Sequence, residues 1–270
     1  MRKWRTGFTL VEVSLFLAVT GLLFLGVTIG VQNSIYQQRY NEAVQSFANF
    51  LRNVYDEVMN VQSLNTGRTD MAIYGKLISF GEANSDGEQI IYSYDVIGKT
   101  VNAGDLGSGT TLNLLKQLGA DVVFREGAGQ PYKPVGIIAM YRPSWGARIQ
   151  VAEKGKFEDY KGEILIVRDP KSGTVRTLAG VGAENEVIEV NSEVAALNSG
   201  QAAEEEPPHI LTDLLTPDNF SPRTVDFCVN PNGTNASDRR TDIRLAEAAM
   251  NASGVEVMPL DDAEQNKCNN

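Results

Sequence analysis

The feature that most constrains this chain is an apolar run of 24 residues, Phe8 to Val31, placed directly behind a basic head that holds Arg2, Lys3 and Arg5. As a helix rising about 1.5 Å per residue, such a run reaches roughly 36 Å, enough to cross a hydrocarbon core of about 30 Å. The cations before it predict a cytoplasmic N-terminus and an exported C-terminal bulk. A secretory peptide would place small residues after its apolar core. Here the core ends in Gly26-Val27-Thr28-Ile29-Gly30-Val31-Gln32, so the segment is expected to be retained. The small residue stands before the core instead, at Gly7.

Glu12 is out of place in this run. A carboxylate at membrane depth costs on the order of a few kcal/mol, so it requires a partner or a task. Cleavage after Gly7 would create one, because the new amine on Phe8 is a cation at neutral pH. A carboxylate near a helix N-terminus also suits the helix dipole. Within one helix Phe8 and Glu12 are a turn apart, a strained geometry for a direct bond. Between neighbouring helices the amine of one copy reaches Glu12 of the next, which neutralises both charges and sets an axial register.

Gly7-Phe8-Thr9-Leu10-Val11-Glu12, with the basic leader before it and the apolar run behind it, resembles the processing motif of type IV prepilins and of the pseudopilins of type II secretion and DNA-uptake systems. The resemblance implies cleavage between Gly7 and Phe8 by an aspartic prepilin peptidase, N-methylation of Phe8, and use of Glu12 in subunit registration. It implies as partners other pilin or pseudopilin subunits, the peptidase, an inner-membrane assembly platform, and lipid around the helix before assembly. The implied location is the cytoplasmic membrane, single-pass with the C-terminal domain outside, and then a filament at the cell surface or in the periplasm. Many major pilins carry a proline well inside this run. The chain has Gly21, Gly26 and Gly30 there instead, a departure that leans toward a minor subunit.

From Gln32 to about Val61 the pattern turns amphipathic, with Tyr40, Val44, Phe47, Leu51, Val54, Val58 and Val61 on one helical face. Asn65-Thr66-Gly67 ends it. Candidate strands follow at Met71–Phe80, Gln89–Val96, Val122–Phe124, Val135–Tyr141, Ala147–Val151, Glu163–Val167 and Val175–Ala179, separated by turn residues, with a short helix expected at Thr111–Leu118. Thr224–Val229 and Val255–Met258 read as further strands. Asp238–Asn251 reads as a short helix or a helix–strand mixture, with Ile243-Arg244-Leu245 open to strand. The chain thus divides into a leader, 1–7; a membrane or filament-core helix, 8–31; its amphipathic continuation, 32–62; a β-rich domain, 65–197; an acidic, proline-ended loop, 198–209; and a C-terminal β region, 210–270. The expected class is α+β: a long N-terminal helix packed on an antiparallel sheet.

The formal charge of −10, from 24 Lys and Arg against 34 Asp and Glu, argues against nucleic-acid binding. The acidity reads as solubility. No GxSxG elbow, HExxH, phosphate loop or dinucleotide fingerprint occurs, and the single histidine, His209, lies beside Pro207-Pro208 in the acidic loop. An enzyme is therefore not expected, nor a cofactor. Asp261 and Asp262, with Glu264, are candidate calcium ligands, against the plainer reading of a solvated acidic loop. Cys228 and Cys268 sit in no zinc-type cluster; on an exported domain they read as one disulfide, and otherwise as two buried thiols. Pilins similarly tie down a C-terminal loop with a disulfide. The alternative function is a membrane-anchored extracellular binding module that forms no filament.

Overall fold

The computed structural model describes residues 9–60, 71–81, 88–102, 104–125, 132–134, 139–153, 156–180, 211, 214–230, 240–258 and 268. Gly7, Phe8, the acidic loop with His209, and Asp261 and Asp262 lie outside the described residues. The chain divides into two units, Met1–Glu42 and Ala43–Asn270.

One helix, α1 (Leu10–Met59, 50 residues), begins in the first unit and ends in the second. In the first unit its apolar side chains are exposed all round, Leu10 by 86% and Phe24 by 72%. This stretch is long and apolar enough to cross a membrane. Three of its hydroxyls are satisfied within the helix: Ser14, Thr20 and Thr28 donate to the carbonyls of Val11, Phe16 and Phe24 at 2.7–2.9 Å. That arrangement suits a helix whose surroundings offer no water.

The second unit contains the rest of α1 and the strands β1 (Met71–Phe80), β2 (Ile91–Lys99), β3 (Val123–Arg125), β4 (Tyr132–Pro134), β5 (Ala139–Tyr141), β6 (Arg148–Glu153), β7 (Lys156–Asp159), β8 (Glu163–Arg168), β9 (Val175–Gly180), β10 (Phe220–Pro222), β11 (Val225–Asn230), β12 (Thr241–Leu245), β13 (Ala248–Ala249) and β14 (Val255–Val257), with a short helix α2 (Thr111–Gln117) after β2. The strands form two sheets and a ribbon, every pair antiparallel. The larger sheet runs β10-β9-β8-β1-β2-β5, with β13 also on β9; the smaller runs β14-β12-β11-β6-β7; β3 pairs β4.

The larger sheet is covered on both faces. Alternation along β1 sends Lys76, Ile78 and Phe80 one way and Leu77 the other. Phe80 meets α1, its ring 6.4 Å edge-on from Phe47. Leu77 joins Tyr94, Val96, Leu112, Leu115, Leu165, Val167, Leu178 and Phe220, so that α2 closes the opposite face. Strand β8 is accordingly apolar at four successive positions, Ile164 to Val167, as two-sided burial requires. Of the expected helix stripe, Val44, Phe47, Leu51, Val54 and Val58 are buried, joined by Ala43, Ala48 and Tyr55; Tyr40 is half-buried, and Val61 lies outside the described residues. Phe227 of β11 brings the smaller sheet to the same helix, 5.6 Å from Phe47 and 5.4 Å from Phe80. Lys76 anchors α1 electrostatically, 2.6 Å from Glu57 and 2.7 Å from Asp95.

The α+β class and the long helix agree with the sequence expectation; several details differ. One antiparallel sheet was expected and there are two. The stretch 238–251 is not helical where described: Thr241–Leu245 is a strand paired with β11 and β14, because Ile243 and Leu245 alternate inward while Arg244 pairs outward with Asp226 at 2.7 Å. Gln89 is not in a strand. It is buried, accepting from the Ile149 N–H at 2.9 Å and donating to the Tyr160 carbonyl at 3.0 Å, so one side chain stitches the approach to β2 onto the smaller sheet. Of the expected strand 135–141, residues 139–141 are strand and 135–138 lie outside the described residues. Strands β4, β7 and β10 were not anticipated.

Candidate functional site

The start of α1 gives Glu12 a local environment. Its Oε2 accepts two hydrogen bonds from Thr9, one from the backbone N–H and one from the hydroxyl, each 2.9 Å. In return the Glu12 N–H donates to the Thr9 hydroxyl oxygen at 3.3 Å. This is a capping box: the residue before the helix and the third residue within it satisfy each other's free backbone donors. Thr9-Leu10-Val11-Glu12 before an apolar run is its sequence signature, and it adds a local task to the helix-dipole and intermolecular ones expected for Glu12. Both bonds from Thr9 land on Oε2; among the described residues Oε1 accepts none. Thr9 thus orients the carboxylate without using it up. The structure says nothing of Gly7 and Phe8, so it brings neither to Glu12.

The second predicted feature is present. Cys228 and Cys268 form a disulfide, 40 residues apart in sequence, and both are buried. Cys228 lies in β11, between β12 and β6, opposite Asp242 on one side and Gln150 on the other. Phe227 and its alternates face α1, so Cys228 faces away from the helix. The bond therefore secures Cys268 on the far side of the smaller sheet. That side is polar: Gln150 donates to Asp159 at 3.0 Å, Asn230 to Gln150 at 3.0 Å, and Arg148 pairs with Asp159 at 3.2 Å.

Among the described residues no group of three or more His, Cys, Asp and Glu side chains is placed to hold a metal ion. The calcium candidates Asp261 and Asp262 lie outside the described residues. One position missed by sequence reasoning stands out. Trp145, in the turn Ser144–Gly146 between β5 and β6, has φ +61° and ψ +26°. A bulky residue in the left-handed region costs about 1–3 kcal/mol. Gly146, at φ +67°, follows it; the turn residues Pro143 to Gly146 mark this turn in the sequence, but not the left-handed backbone of Trp145.

The chain matches no protein-family model, no curated protein and no solved structure.

Proposed function

We propose that the chain is a structural subunit of a type IV pilus or pseudopilus, and within that class a minor subunit. It is cut after Gly7, methylated on Phe8, and assembled through α1. A single observation carries this: a carboxylate, Glu12, held in place at the start of an apolar, exposed stretch of α1 long enough to cross a membrane. In lipid that charge is costly unless a cation meets it. The amine of a processed Phe8 on the next copy supplies one at the matching depth. The basic head, the Gly7-Phe8 junction and the disulfide-closed antiparallel domain after the helix support the same reading. The implied partners are like subunits, the peptidase, the assembly platform, and lipid before assembly. Serving adhesion, motility, DNA uptake or secretion would fall to the 43–270 unit.

The capping box favours one alternative, a single-pass anchored binding module in which Glu12 only starts its own helix. Two measurements separate them. Mass spectrometry of the protein from native membranes should find an N-methylated Phe8 N-terminus, and an intact Met1 N-terminus rejects the filament reading. Glu12→Gln keeps a polar cap at Thr9 but removes the charge. It should leave processing intact and abolish co-purifying multimers; a module without a filament would be indifferent to it.

A further inference from the structure

Helix α1 is unbroken from Leu10 to Met59, so its rise of about 1.5 Å per residue makes it a ruler. Glu12 and Arg39 are consecutive charged residues along it, with none between them in the sequence. The apolar run ends at Val31, and the next turns are mixed. Gln32, Ser34, Gln37 and Gln38 are polar and exposed, while Ile35 and Tyr36 are large and also open, Tyr36 by 48%. Tyr36 thus stands where the surface of the helix passes from apolar to polar. A helix in water has no packing need for an open tyrosine at that point. At a membrane–water boundary the same residue is well placed, because its ring is apolar and its hydroxyl takes a wet partner.

We infer that Tyr36 anchors α1 among the phospholipid headgroups of the outer leaflet and so sets the depth of the helix, with Glu12 at the opposite interface. The inference rests on the membrane placement in the proposed function, and it holds for a filament subunit and for an anchored module alike. Length selects this register. A hydrocarbon core of about 30 Å takes roughly 20 residues of helix. Glu12 and Tyr36 are 24 residues apart. That is roughly 36 Å along the axis, or about 34 Å across the bilayer at an ordinary tilt of about 20°. The two cannot both lie in hydrocarbon. Sliding Glu12 inward puts a carboxylate into lipid and draws Ile29, Val31 and Ile35, all open side chains, out into water; both changes are unfavourable. Sliding Tyr36 inward takes Gln37, Gln38 and then the charge of Arg39 into hydrocarbon, which is unfavourable too. The favoured position has Tyr36 at one boundary and Glu12 at the other, where water still reaches its carboxylate. The Glu12 charge then becomes costly only as the helix moves outward into apolar surroundings, and in the filament reading that is the step at which the amine of the next copy is needed.

The test uses the full-length chain in phosphatidylcholine vesicles whose acyl chains are brominated at a chosen depth. Trp4→Phe and Trp145→Phe remove the two native tryptophans. In that background Tyr36→Trp keeps an interfacial side chain at the site. Its fluorescence should be quenched several-fold more by bromines near the carbonyl end of the chain than by those near the methyl end. Phe24→Trp, midway between Glu12 and Tyr36, should show the reverse order. Moving the anchor tests cause. Gln32→Tyr together with Tyr36→Gln keeps the composition and shifts the ring by four residues, about 6 Å. The helix should follow, so that the Phe24→Trp probe is then quenched best by mid-chain bromines. A Tyr36→Trp probe quenched best by the deepest bromines, or by none, overturns the inference, as does a Phe24→Trp probe that ignores the exchange. If Phe24→Trp is quenched at no depth, the helix does not enter the bilayer, and the membrane reading fails with the inference. An intact Met1 N-terminus would reject the filament alone and leave the expected depths as they are.

Discussion

Single carboxylates define this protein at the residue scale. Glu12 and Thr9 are coupled, so Thr9→Ala should fray the first turn of α1, at a cost of about 1 kcal/mol. Hydrogen exchange at residues 10–13 reads it: faster in Thr9→Ala, restored in Thr9→Ser, and equal rates in all three would contradict the capping box. Asp169 plays the matching part in the 43–270 unit. Its Oδ1 accepts the N–H groups of Lys171 and Ser172 at 3.0 and 2.7 Å, closing the turn between β8 and β9, and its Oδ2 accepts the Thr111 hydroxyl at 2.7 Å, tying that turn to α2. Burial alone would push this carboxyl up; the Ser172, Thr111 and Lys171 bonds outweigh it and hold it below the ordinary 3.8. The folded value is thus lower than the unfolded one. The stability it contributes is fully present above the unfolded value and is lost as pH falls through the folded one. Asp169→Asn should cost about 2 kcal/mol at neutral pH, with the gap to the unmodified protein closing below about pH 4. Thermal unfolding across that range checks it, and a gap that persists undiminished into strong acid would refute the assignment.

Elements show what local sequence carries and where it stops. Strand β1 runs over Met71–Phe80, the bounds that its apolar pattern and flanking turns predict, and α2 falls one residue short of its expected end. These are decided within ten residues by periodicity and by a cap, Thr110, whose hydroxyl accepts from the Asn113 N–H. Of the candidate site residues, Glu12 stands out by its misplacement in an apolar run, and the cysteine pairing by its even count on an exported domain. The second sheet was not legible. Its membership depends on β11 meeting β6 some 80 residues earlier, and no local pattern encodes which sheet a strand joins. In the strap from β12 to β14 the last strand falls where expected and Ile243-Arg244-Leu245 resolves to strand, while the helix expected around them is absent among the described residues for the same reason. The strap crosses from one sheet to the other, with β13 pairing β9, and it is locked on α1 by Tyr55, whose hydroxyl bonds Thr177 and the Ala246 carbonyl. Gly254 fits beneath that ring: a Cβ there would lie 2.6 Å from the Ala249 Cβ and 3.1 Å from Tyr55 Cε1. Gly254→Ala should destabilise by about 2 kcal/mol through overpacking, and Tyr55→Phe by about 1 kcal/mol. Because both act on one ring, the double variant should depart from additivity, and strict additivity in denaturation would show that the strap and the helix are not coupled there.

At the scale of the whole molecule, the disulfide links fold to compartment. The loop it closes contains β12, β13 and β14, the strands that join the two sheets. In a chain-entropy description, closing a loop of this size contributes about 3–4 kcal/mol. For a unit of this length that corresponds to a fall in melting temperature of the order of 10 °C when Cys228 and Cys268 are both changed to serine. The same bond reports topology. It persists only where the surroundings are oxidising, so the thiols should resist alkylation in intact cells if the basic head keeps the N-terminus inside and sends the domain out. Replacing Arg2, Lys3 and Arg5 with glutamate removes that instruction. The domain should then stay with its thiols reduced and alkylatable, and should melt at the temperature of the serine variant. If the charge-reversed protein keeps its disulfide, the head does not set the orientation of the chain. If it loses the disulfide but melts like the unmodified protein, the bond does not secure the two sheets.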